Sequence, residues 1–151
     1  MRRSAKLAAL IGAVAVLGTA HAATMADMVR ARVAAYRELG AAFKAVNDGL
    51  RGAPQTVLIQ QSARTIRNVS RQQYGWFPAG SGAQAGVKTA AKAEIWARPA
   101  QFKAAQDNFA KQADAFQRAA ATGDAAAIRA EARKLGATCK ACHDVFRAPI
   151  T

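Results

Sequence analysis

The chain is short of the residues that several common kinds of protein depend on. Its 151 residues include two cysteines, two histidines and four prolines, and nine acidic residues stand against 22 lysines and arginines. Two cysteines cannot build the framework of a disulfide-stapled scaffold. Long apolar runs are missing too. The most apolar stretch, Leu7 to Ala20, has about 14 residues, short of the roughly 20 that cross a bilayer. No later segment is apolar enough to try, so stable membrane insertion is not expected.

What surrounds that stretch explains it. Arg2, Arg3 and Lys6 precede it, and Ala20-His21-Ala22 follows as a small-x-small cleavage signature. This order is that of a secretory signal peptide, cut between Ala22 and Ala23. The sequence therefore predicts two parts, a cleaved leader at 1–22 and one domain at 23–151, delivered to the periplasm. Removing the leader takes away His21 and three basic residues. The 22 basic residues become 19 against nine acidic, a net charge of +10, and His143 is the only histidine left. Export argues against nucleic acid as a partner, and the cations are scattered rather than gathered in one arm. A solvated basic surface that steers acidic redox proteins is the plainer reading.

The exported part reads as four helical stretches without a convincing strand. The first runs from about Met25 to Leu50, with Met28, Arg32, Tyr36, Leu39, Phe43, Val46 and Leu50 at three- and four-residue spacing. The second follows Pro54 and continues to about Ser70, with Val57, Leu58, Ile66 and Val69 as its apolar positions. Glycines at 75, 80, 82 and 86 interrupt a looser region over 73–98, where Trp76, Phe77 and Trp96 are expected to fold back as lids on the core. Pro99 opens the third helix, and Phe102, Phe109 and Phe116 repeat every seven residues along one seam. Asp124 is placed to cap a fourth helix that reaches about Arg147. Long helices joined in up-down order predict an all-α, antiparallel four-helix bundle.

The chemistry lies near the end of the chain. Cys139-Lys140-Ala141-Cys142-His143 is a C-x-x-C-H sequence, the attachment signature of c-type haem. Two thiols three positions apart share one helix face and can form thioethers to the two vinyl groups of one porphyrin. The adjacent histidine then offers a neutral imidazole as axial iron ligand. A thioredoxin-type pair would need a preceding strand, and a structural zinc site would need a fourth ligand. By average residue usage, a chance match in a chain this long is on the order of one in a thousand or rarer.

The position of the motif and its surroundings carry a resemblance. Gly136-Ala137-Thr138 before the first cysteine and Asp144-Val145-Phe146-Arg147 after the histidine resemble the closing segment of the class II c-type cytochromes, the cytochrome c′ and cytochrome c-556 group. Val29-Arg30-Ala31-Arg32, then Tyr36, Phe43 and Gly52, are similar to that family's first helix, and Trp76 and Glu94-Ile95-Trp96 also correspond. The likeness covers nearly the whole exported chain. It implies one covalently attached haem c, and homodimers formed through the first two helices.

The resemblance further implies that Tyr36 faces the iron from the side opposite His143. In c-556 relatives a methionine stands there and ligates the iron, giving a low-spin electron carrier. In c′ relatives the residue does not ligate, and the five-coordinate, high-spin iron binds nitric oxide or carbon monoxide. A neutral phenol, with an ordinary pKa near 10, is a poor ligand, so Tyr36 favours the second pattern. Met28, two turns or about 12 Å before Tyr36, is the alternative ligand of an electron-transfer protein. Arg32 is assigned to pairing with a haem propionate, the alternative being an exposed basic residue. Val33 stands where many relatives have a glutamine, so that polar contact is missing. Arg147 is placed near the proximal face, where it can hydrogen-bond a bound group; otherwise it is a cation at a helix C-terminus. A haem enzyme such as a peroxidase would want a distal acid–base residue. The exported chain has no second histidine, and no carboxylate adjoins Tyr36, so no enzyme activity is expected.

Overall fold

A computed structural model describes residues 23–149. The expected leader at 1–22, with His21 and the cleavage site after Ala22, lies outside the described residues. Five α-helices are present among them: α1 (Met25–Gly49), α2 (Thr56–Gln72), the short α3 (Glu94–Ala97), α4 (Pro99–Thr122) and α5 (Ala125–Phe146). The four long ones form the predicted bundle.

Local chemistry sets most of the helix ends. At the start of α1 the Thr24 hydroxyl accepts from the Asp27 N–H, and the Asp27 carboxylate accepts from the Thr24 N–H. This reciprocal capping box satisfies two donors that the first turn would leave unpaired. Pro99 occupies the first turn of α4, which ends at Gly123 in a left-handed conformation (φ +73°) that other residues rarely adopt. Asp124 then caps α5 as expected, its Oδ1 accepting from the N–H groups of Ala126 and Ala127 at 2.8 and 3.3 Å.

Two details differ from expectation, and one backbone contact is new. The buried line of α1 begins at Val29 rather than Met28, which is half-buried. Val57 is 68 % exposed: it stands nine residues before buried Ile66, about two and a half turns, and so falls on the opposite face. The last helix stops at Phe146. Arg147 is extended and pairs with Ala91 in a single antiparallel bridge, and the N–H groups of Lys92 and Ala148 donate to Phe146 O and Ala90 O. The loose region is thereby tied to the end of α5.

Phe109 and Phe116 pack with Val46, Ile59, Ile128 and Leu135 in the main core. Phe102 joins Ile95 and Phe146 in a second cluster at one end of the bundle. α1 packs on α2, α2 on α4 and α4 on α5. The fourth side is looser, because the α1 and α5 backbones approach each other less closely than those pairs do. Contacts along that side run in opposite directions on the two helices. Phe43 meets Gly136, and Leu50 O accepts from Arg129 Nη2 at 3.1 Å.

Candidate functional site

The α1–α5 side is where the sequence-predicted residues gather. Cys139 and Cys142 lie on one face of α5 as free, half-buried thiols. Cys139 packs against the main core and Cys142 against the second cluster, so the pair bridges the two. Burial raises both thiols above their ordinary range, Cys142 to about 11 with Cys139 adding to the effect. His143 follows on the surface. Its imidazole is held below its ordinary value, first by burial of the ring and then by the Arg147 cation, with Asp144 opposing. Burial and Arg147 both favour the neutral form, which is the form that ligation requires. Arg147 is exposed just beyond the helix end, near enough for its charge to act on the imidazole.

Tyr36 stands across from Cys142. Burial pushes its phenol far above the usual range, the nearby Cys142 thiol adds to this, and Arg32 opposes it. The ring makes an edge-on contact with Trp76, centroids 5.1 Å apart, and lies 6.3 Å from Phe77. Phe77 continues to Phe102 at 4.9 Å, and Phe102 to Phe146 at 5.0 Å. The indole N–H of Trp96 donates to the carbonyls of Phe77 and Pro78, both at 3.1 Å. The expected lids are thus real, and they pack on Tyr36 and the second cluster.

Arg32 is the site residue whose protein partners the sequence did not show. It is 2 % exposed, not a surface cation, and its guanidinium is bonded to Trp76, Ser81 and Thr89. Ser81 and Thr89 were missed altogether. One signal could have found them, because an arginine inside an apolar stripe must have polar partners somewhere. Val33, half-buried, makes no side-chain hydrogen bond, as its chemistry dictates. Among the described residues no group of three or more His, Cys, Asp or Glu side chains is gathered in a way that would hold a metal ion directly.

The residues present fit a haem. Two unpaired thiols share one face, an imidazole follows them in sequence, and a half-buried aromatic wall of Tyr36, Trp76 and Phe77 stands opposite. An all-helical bundle with such a pair on its last helix defines a haem protein of c type. A family model described as Cytochrome C′ matches residues 27–147. The cytochrome c′ of Rhodopseudomonas palustris is 34% identical over 143 residues, covering 93% of this chain and 94% of that one. The crystal structure of cytochrome c′ from Rubrivivax gelatinosus aligns with a TM-score of 0.76 at 28% identity, over 82% of this chain and 97% of that one. A nitric oxide complex of a mutant cytochrome c prime from Alcaligenes xylosoxidans aligns with a TM-score of 0.76 at 26% identity, over 84% and 98%. The chain belongs to the cytochrome c′ family. That family carries one covalently attached haem c, and this chain brings two cysteines for it near its C-terminus.

Proposed function

We propose that this chain is an exported mono-haem cytochrome of the c′ type, whose iron is ligated by His143 alone and binds nitric oxide or carbon monoxide on the side of Tyr36. Cys139 and Cys142 would hold the group through thioethers, and His143 would supply a neutral nitrogen. When bound, the haem would supply a redox-active iron able to take a small ligand. The rest is done by the chain. Tyr36 keeps its proton and therefore offers no phenolate to the iron. Its ring and those of Trp76 and Phe77, all half-buried, would crowd the distal side. Arg147, beside the imidazole, can hydrogen-bond a group on the proximal side.

The observation that carries this reading is the setting of Tyr36, a half-buried neutral phenol opposite Cys142 and edge-on to Trp76. The nitric oxide complex of the Alcaligenes xylosoxidans relative supports the assignment of gases as ligands. Export to the periplasm rests on the charged start, the apolar run and the Ala20-His21-Ala22 signature. Among the described residues no helix is long and apolar enough to cross a membrane. The proposal extends to acidic redox proteins as electron partners, to ligand binding and electron transfer rather than catalysis, and to a homodimer through α1 and α2. Val57, exposed on α2, offers apolar surface for that contact.

The test uses protein matured with haem in an exporting host. A denaturing gel stained for haem should show covalent attachment in the parent chain and none in the Cys139→Ser/Cys142→Ser variant. The Soret band of the ferrous parent should move when carbon monoxide is added. A band left unmoved would overturn the gas-binding assignment, and retained stain in the double variant would overturn the attachment.

A further inference from the structure

Arg32 is among the largest fully buried side chains of the described residues, and no carboxylate is among the groups that act on its charge. A guanidinium stays charged and brings five donors in a rigid fork. Burying it without a counter-ion is costly unless those donors are met. Here the loop between α2 and α3 meets them. Nη1 donates to Trp76 O at 3.1 Å and to the Ser81 hydroxyl at 2.8 Å. Nη2 donates to Ser81 O at 2.6 Å and to the Thr89 hydroxyl at 3.0 Å. All four Nη hydrogens are used, and the Phe77 ring lies under the guanidinium with its centroid 4.5 Å from Cζ.

These partners are spread over 14 positions of loop, from Trp76 to Thr89, yet converge on one side chain from α1. The Thr89 hydroxyl also accepts from the Ala91 N–H at 3.2 Å, and Ala91 is the residue bridged to Arg147 at the end of α5. The loop is therefore fastened at both ends of its course, by Arg32 on the Tyr36 side and by the backbone of Arg147 on the His143 side. Ser81 is fully buried, which fixes the loop's depth as well as its path. A Cβ on Gly82 would stand 3.1 Å from the Trp96 ring, so the next residue seats the loop against that indole.

We infer that Arg32 is a positioning residue that holds Trp76 and Phe77 against Tyr36 and thereby sets how freely a small ligand reaches the distal side. The inference rests on the proposed function for what the distal side does, but the fastening of the loop can be read without it.

Three variants of the matured holoprotein test it: Arg32→Lys, which keeps the charge but loses the fork, and Ser81→Ala and Thr89→Val, which remove partners from the loop side. Two measurements are made on each, hydrogen exchange of the amides over 76–91 and the association rate of carbon monoxide with the ferrous protein. Losing a hydrogen bond to a charged group should speed exchange in that loop by about tenfold, with the α2 amides of 59–69 unchanged. Carbon monoxide should associate several-fold faster, in proportion to the loosening. If Arg32→Lys does not fold, the two loop-side variants decide alone. Loop exchange within twofold of the parent in Ser81→Ala and Thr89→Val would overturn the inference. So would a change in carbon monoxide rate and reduction potential in Arg32→Lys alone, which would return the arginine to the propionate. A parent that binds no carbon monoxide would sink the proposed function, while the exchange data would still judge the fastening.

Discussion

The Cζ of Phe43 lies 3.3 Å from the point where a β-carbon on Gly136 would stand. This contact joins α1 to α5 about one turn before the cysteine pair. A glycine in mid-helix costs about 1 kcal/mol relative to alanine, so its presence here has a packing reason. Gly136→Ala should lie within about 1 kcal/mol of the parent, because the helix gain and the squeeze on a movable ring oppose each other. Gly136→Val should destabilise by about 1–3 kcal/mol through overpacking, read from denaturant midpoints at unchanged slope.

Tyr36 acts by its ring rather than its hydroxyl. Tyr36→Phe keeps the ring and should leave carbon monoxide association within about twofold of the parent, whereas Tyr36→Ala should speed it by about tenfold or more through easier distal access. Flash photolysis of the ferrous complex measures both. A large effect of Tyr36→Phe would instead assign the phenol oxygen a direct role at the ligand.

Asp114 on α4 accepts from Arg67 Nε at 2.8 Å and from Arg71 Nη2 at 2.7 Å, joining α4 to α2. Burial pushes its carboxyl up, but the two arginines outweigh that and hold it below its ordinary value. The unfolded chain then binds the proton more readily than the folded one. The stabilisation is complete above the unfolded value of 3.8 and is lost as pH falls through the lower folded value. All three side chains are partly exposed, so the effect is screened and amounts to about 1 kcal/mol at most. Asp114→Asn should therefore lower the melting temperature at pH 7, and the gap to the parent should close in strong acid.

Asp124→Ala removes the side-chain acceptor at the start of α5 and should cost about 1 kcal/mol. Phe116→Ala empties a fully buried ring position in the main core and should cost about 3–5 kcal/mol. Chemical unfolding of the two variants should rank them in that order.

The parts of this molecule that were legible in its sequence are those governed by local rules. Pro99, Asp124 and the sevenfold spacing of Phe102, Phe109 and Phe116 speak for themselves through capping and periodicity. Cys139, Cys142 and His143 are adjacent in the chain, so their meeting needs no knowledge of the fold. Arg32 could be read only as one point on a stripe, because its partners Ser81 and Thr89 lie 49 and 57 positions away in an irregular loop. The bridge from Ala91 to Arg147 was hidden for the same reason, since pairing between distant backbones leaves no local pattern. Val57 is apolar but stands about half a turn around α2 from Ile66, so its side-chain character alone points to the wrong face.

The central claim is that the iron is held by His143 and left unligated on the side of Tyr36. Resonance Raman spectroscopy of the ferric and ferrous holoprotein, with Met28→Leu beside the parent, tests it most directly. The account predicts high-spin, five-coordinate marker bands that are the same in both proteins. A six-coordinate, low-spin parent that becomes five-coordinate in Met28→Leu would contradict it and make the chain an electron carrier ligated by methionine.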